Sequence, residues 1–137
     1  MPPYPGLLIA AARRSIKRAV VERAAGWGLT SQQFWLLVAI HETPGISGVE
    51  IAARTRAAAP DVSRALAALA DRGLVRSEPD PDDRRRARIW LTRAGAHMTR
   101  ELTPVARALR DAIVAGMSAE EVASLCAALQ RVVENLD

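Results

Sequence analysis

Three times along the chain a hydroxyl residue stands three positions ahead of Gln or Glu, just where an apolar run begins. The segments are Thr30-Ser31-Gln32-Gln33, Ser47-Gly48-Val49-Glu50 and Ser118-Ala119-Glu120-Glu121. In such a box the hydroxyl takes a free backbone N–H of the first helical turn. The Gln or Glu side chain takes the N–H of the capping residue, so each box fixes where a helix starts. The chain must therefore fold as several short helices.

The first box opens a helix that runs to about Glu42 and stops at Thr43-Pro44-Gly45. The second opens a shorter one with Ile51 and Ala52 turned inward. Ahead of them Leu8, Ala12, Ile16, Ala19 and Val20 keep helical spacing over residues 7–25, up to Gly26. The other face of that first helix carries Arg13, Arg14, Lys17 and Arg18.

Pro60 suits the first position of a fourth helix, because its missing N–H would be unpaired there anyway. Val62, Leu66 and Leu69 form its apolar stripe. Pro60, Arg64, Ala67 and Asp71 lie opposite, with Asp61, Ser63 and Ala68 on the flanks, and Gly73 closes the helix. Its start has no capping side chain.

The period then changes from helical to alternating. Leu74 to Glu78 and Ala87 to Leu91 read as two strands of a hairpin, with Ala87, Ile89 and Leu91 on one face and Arg88 and Trp90 on the other. Its long tip runs from Pro79 to Arg86. Trp90 sits on the polar phase, and the pattern offers no account of it. Thr92 caps a fifth helix striped with Met98, Leu102, Val105, Leu109 and Ile113, reaching about Gly116. Pro104 inside it predicts a kink or break. The third box opens a sixth helix along Val122, Leu125, Cys126, Leu129, Val132, Val133 and Leu136.

Half of the 137 residues are apolar, a quarter are charged and only 4% aromatic, so the chain is of the soluble globular kind. Its core must be built mostly from Leu, Val, Ile and Ala. The net charge of +4 is unevenly spread: eleven Arg face six acids between Arg54 and Arg100, against one Arg and four acids from Ser118 to Asp137. An anionic partner is expected at the middle of the chain. The lone Cys126 excludes an internal disulfide framework, and its place on the sixth helix's stripe makes a buried structural thiol the expectation. Leu7 to Ala12 is too short for a membrane span or a convincing signal peptide, which points to the cytoplasm with no membrane partner.

Three short helices followed by a hairpin is the pattern of a winged helix-turn-helix. Five segments make it more specific: Gly28-Leu29-Thr30-Ser31-Gln32-Gln33-Phe34, Val62-Ser63-Arg64-Ala65-Leu66, Arg72-Gly73-Leu74-Val75-Arg76, Asp83-Arg84-Arg85 and Leu91-Thr92-Arg93-Ala94-Gly95. In their order and spacing they resemble the multiple-antibiotic-resistance regulator (MarR) family, over nearly the whole chain.

The resemblance implies a mainly α fold with a small β-hairpin, one MarR-like domain over residues 1–137. Its DNA-binding lobe spans 30–91, and helices over 7–25 and 92–136 join two copies into a homodimer. It implies a cytoplasmic transcription regulator, a repressor by expectation, on a pseudo-palindromic double-stranded DNA operator. The fourth helix then reads the major groove. Arg85 enters the minor groove, and Asp83 holds it.

The candidate DNA-contacting residues are Pro60, Asp61, Ser63 and Arg64 on the helix, with Asp83, Arg84, Arg85 and Arg86 at the hairpin tip. A guanidinium suits a narrow, electronegative minor groove, and Arg64 can donate two hydrogen bonds to a base edge. Trp27 and Trp35 flank the start of the second helix, near where family members bind small aromatic acids, although both also suit a core role; with His41 they are the candidate residues for a small aromatic or phenolic effector that releases the regulator from DNA.

No cofactor is expected. His41, Glu42, His97 and Cys126 lack compact metal-ligand spacing, so no metal site is expected either. Two rival readings stay open. An enzyme is disfavoured by the absence of a nucleophile–base set or phosphate loop; a winged-helix module that touches only an acidic protein is the other.

Overall fold

The computed structural model describes residues 3–137 as six α-helices and one two-stranded antiparallel sheet. In chain order they are α1 (Pro5–Ala24), a 3-10 turn (Ala25–Trp27), α2 (Ser31–Glu42), α3 (Gly48–Thr55) and α4 (Ala59–Asp71). β1 (Val75–Pro79), β2 (Ala87–Leu91), α5 (Arg93–Ile113) and α6 (Ala119–Leu136) follow.

The capping signals act as their chemistry requires, with one variation. Thr30 and Gln33 exchange both bonds of the box at 3.1 and 3.0 Å, and Ser118 and Glu121 do the same at 3.1 Å each. Ser47 caps α3 through the Glu50 N–H, but the Glu50 carboxylate accepts from the Ser47 hydroxyl instead of a backbone donor. The segment before α3 lies against β2 as an added edge: Gly45 N–H donates to Ile89 O, and Ile89 N–H to Ile46 O. α4 starts one residue earlier than the sequence indicates, at Ala59, which puts Pro60 second; no side chain caps it.

α2 is the hub. Phe34, Leu36, Leu37 and Ile40 are almost wholly buried, and the helix packs against α1, α4, α5 and β2. Around it gather Val20 and Ala24 of α1, Ile51 of α3, Val62, Ala65 and Leu69 of α4, Ile89 of β2, and Leu102 and Leu109 of α5. On α4 the stripe is set by Ala65 as much as by Leu66, which stays half-buried.

Two close approaches tie the hairpin to the helices. A Cβ on Gly95 would fall 1.9 Å from the Leu74 carbonyl oxygen, so only glycine lets the first turn of α5 sit against the entry to β1. Gly45, at φ +83°, would bring a Cβ within 2.9 Å of the Trp90 ring. Trp90 is therefore no solvated outward residue. It lies under the α2–α3 turn, with the Arg76 guanidinium 5.8 Å from its ring centroid, across the strand pair that joins the two residues.

Three expectations need correction. Pro104 does not break α5, which is continuous from Arg93 to Ile113; burial of Leu102, Ala106 and Leu109 on either side holds the helix together. The same helix ends at Ile113, short of Gly116. Cys126 is exposed, because α6 buries none of its residues within the chain.

Candidate nucleic-acid interface

α4 presents its polar face outward because its apolar stripe is anchored on α2. Pro60, Asp61, Ser63 and Arg64 are all exposed. Arg64 is paired with Asp61 one turn back, both side chains at least half exposed, so in the free protein the guanidinium is held along the helix. An exposed pair of this kind contributes little to stability, which leaves Arg64 cheap to redirect toward another acceptor. Asp61 also sits in the first turn, where a carboxylate favourably meets the positive end of the helix dipole.

The hairpin tip is built around Asp80. One carboxylate oxygen accepts the N–H groups of Asp82 at 2.8 Å and Asp83 at 3.3 Å, and the other accepts from Arg88 Nε at 3.2 Å. These bonds, the Asp82 N–H foremost and the Arg88 side chain next, hold the Asp80 carboxyl below its ordinary value. The tip closes where Asp80 N–H donates to Arg86 O and Arg86 N–H donates to Asp83 O.

Asp83 then takes the backbone N–H of Arg85 at 3.0 Å, and its second oxygen lies 3.9 Å from Arg86 Nε. The acid thus grips the main chain of Arg85, not its guanidinium. Among the described residues neither Arg84 nor Arg85 forms an ion pair, so Asp80 and Asp83 are engaged within the tip while these two exposed guanidinium groups are not. Asp80 and Arg88 were missed as organisers of the tip. The signal was present in Pro79-Asp80-Pro81-Asp82-Asp83, since an Asp two and three residues ahead of free N–H groups is an Asx-turn.

The three candidate effector residues are not brought together. Trp35 lines an open groove of about 1040 Å³ between α1, α2 and the link into α4, beside Ile16, Leu36 and the cations Arg13, Lys17 and Arg56. Trp27 instead donates its indole N–H to Glu101 of α5 at 3.0 Å. His41 is exposed, its Nδ1 3.5 Å from the Thr99 hydroxyl. Of the residues weighed as metal ligands, His97 lies 3.8 Å from Glu101 and Cys126 stands apart on α6. Among the described residues no three His, Cys, Asp or Glu side chains converge.

Residues 27–86, which run from the 3-10 turn to the end of the hairpin tip, match the MarR family. The transcriptional regulator HosA of Escherichia coli O111:H- is 32% identical over 93 residues, covering 68% of this chain and 69% of HosA. The chain belongs to the MarR family.

The fold of this MarR family regulator agrees. A MarR mutant from E. coli crystallised with operator DNA superimposes with a TM-score of 0.76 at 27% identity, covering 93% of this chain and 91% of that one. The MepR–DNA complex of S. aureus gives 0.80 at 23% identity over 95% and 94%, a likeness of fold alone. This MarR family chain is thus a transcriptional regulator with a winged helix-turn-helix, in which α2, α3 and α4 are the three helices and β1–β2 the wing. No helix among the described residues is long and apolar enough to cross a membrane.

Proposed function

We propose that this regulator binds double-stranded DNA as a homodimer, with α4 of each copy in a major groove and the hairpin tip in the adjoining minor groove. The observation that carries the reading is the internal use of the tip's acids. Asp80 and Asp83 are spent on backbone N–H groups and on Arg88 and Arg86, so neither carboxylate is paired with Arg84 or Arg85, whose guanidinium groups stay open to a polyanion. A guanidinium placed this way suits a narrow minor groove. α4 adds Pro60, Asp61, Ser63 and Arg64 on one exposed face, with Arg64 assigned to a base edge. Relatives of the same fold have been solved on DNA.

The dimer rests on apolar surface that the chain leaves open. Leu7 and Leu8 of α1 are 70% and 67% exposed, and Leu125, Leu129 and Leu136 of α6 are exposed too. Half-sites about one helical turn apart, roughly 34–36 Å, follow from two-fold symmetry. In this reading the protein is a cytoplasmic repressor without catalytic activity. A small aromatic acid in the Trp35 groove, its carboxylate met by Arg13, Lys17 or Arg56, releases it from DNA. The groove adjoins Asp61 in the first turn of α4, so an occupant there bears directly on the reading helix.

The test is a salt titration of binding by fluorescence anisotropy, using DNA upstream of the protein's own gene and an unrelated duplex. Arg85→Ala should weaken both complexes and make the slope of log affinity against log salt shallower by about one unit. Asp83→Ala should also weaken both, because it frees the Arg85 main chain; a purely long-range charge effect would strengthen them instead. If Arg85→Ala leaves affinity and slope unchanged, the hairpin is not a DNA contact. The protein-contact reading then takes its place.

A further inference from the structure

Arg72 stands at the C-cap of α4, yet its guanidinium is engaged far away in sequence. It donates to Gly28 O at 3.2 Å and to Trp27 O at 2.8 Å, at the turn joining α1 to α2. From that same turn the Trp27 indole N–H donates to the Glu101 carboxylate of α5 at 3.0 Å. The Trp27 ring rests against the margin of the core. Three residues thus link the end of α4 to the middle of α5 by charge-assisted hydrogen bonds, the Trp27 main chain accepting from Arg72 and its indole donating to Glu101.

Packing alone does not do what this run does. α2 lies against both α4 and α5, so the core fixes how far apart they are. Two helices that share one packed neighbour can still swing about it, because hydrophobic contact has no direction. Hydrogen bonds do have direction. A bonded link at the surface, off the α2 axis, removes that swing.

We propose that Arg72, Trp27 and Glu101 are positioning residues: a tie that holds α4 at a fixed angle to α5 and so sets the spacing of the two reading helices in the dimer. The inference rests on the dimeric DNA-binding reading above, and adds to it which residues set the register between half-sites. Arg72 and Glu101 lie outside the groove and outside the proposed DNA contacts. Their bonds are solvent-exposed, so the tie contributes geometry more than stability.

Trp27→Phe keeps an aromatic, if smaller, ring and removes the side chain's only donor; Glu101→Ala removes the acceptor, and Glu101→Gln retains one. Binding is measured on the native operator, on the same operator with one base pair inserted between half-sites, and on a single half-site. Trp27→Phe and Glu101→Ala should lose about tenfold on the native operator, the effect of one charge-assisted bond. They should bind the half-site as the wild type does and discriminate less against the insertion. Glu101→Gln should restore most of the discrimination. Equal losses on all three duplexes, or none, would overturn the proposal.

A second arm uses no DNA. Spin labels at Ala67→Cys on α4 and Arg107→Cys on α5, in a Cys126→Ser chain diluted with unlabelled protein, report the angle within one copy. The distance distribution should broaden in Trp27→Phe and Glu101→Ala; an unchanged distribution sinks the tie. Broadening in a protein whose wild type binds no duplex would keep the tie and remove the DNA reading.

Discussion

α2 and α6 begin alike and end differently. Each opens with a complete capping box and each carries a run of apolar side chains, so local chemistry gives both the same start. α2 then buries Phe34, Leu36, Leu37, Ala39 and Ile40, while α6 buries nothing. A helix whose apolar stripe is left without full burial by its own chain is suited to complete its core against another molecule. The lesson extends to the two ends of the fold. At the wing the chain leaves Arg84 and Arg85 unpaired beside the exposed polar face of α4, and at α6 with the start of α1 it leaves Leu uncovered. The first surface fits DNA and the second fits a copy of itself.

The largest effect should come from the apolar end. Leu129→Asp places a carboxylate at each half of the proposed interface, and burying two unpaired charges should raise the dimer dissociation constant roughly a thousandfold, or about 4 kcal/mol. Sedimentation would show monomers at micromolar concentration, with unchanged helicity by circular dichroism. The same substitution at buried Leu37 of α2 should unfold the chain, so the pair tells surface from core. If Leu129→Asp leaves the wild-type assembly intact, α6 is not the interface.

A smaller change is expected on α4. Arg64→Ala should cost about 1–3 kcal/mol on the cognate site and much less on random DNA, because a base edge is read only where the right base stands. Equal losses on both duplexes would reassign Arg64 to a phosphate. The contrast with Arg85, whose loss is general, separates reading from anchoring within one lobe.

The smallest effect belongs to Asp80, which stiffens the tip without touching DNA. Its carboxyl is held below the ordinary 3.8, mainly by the Asp82 N–H. Because the folded value is the lower one, the ionised group stabilises the tip fully above that ordinary value and loses its effect as pH falls through the folded value. From pH 8 to 5 the Asp80 contribution to wing order should therefore be constant. Asp80→Ala should weaken DNA binding by about two- to fivefold across that range, the loss of a weak positioning bond, with amide exchange at Asp82 and Asp83 accelerated. Unaltered exchange at those amides would show that the tip is ordered by other means.

The helices and the hairpin could be read from the sequence because their signals are local. Thr30, Ser47, Thr92 and Ser118 each cap the helix they announce, and the alternation around Ile89 marks a strand. The harder features depend on neighbours distant in the chain. Trp90 looked misplaced until Gly45 and Arg76 were seen around it. The Arg72–Trp27–Glu101 bonds span the whole lobe and leave no local pattern. Cys126 was misjudged for a physical reason: an apolar stripe says which face of a helix avoids water, not which molecule covers it. At the candidate interface the exposed residues of α4 and the tip were identifiable from their spacing. The role of Asp83 as a grip on the Arg85 main chain was not, since either arginine group was a chemically reasonable partner.

The central claim is that a two-fold pair of these chains lies on duplex DNA, and hydroxyl-radical footprinting of the region upstream of its gene tests it most directly. The account predicts two protected, sequence-related half-sites whose centres are about one helical turn apart, each flanked by minor-groove protection that disappears in Arg85→Ala. A single asymmetric patch, or no protection at protein concentrations where the dimer is complete, would contradict it.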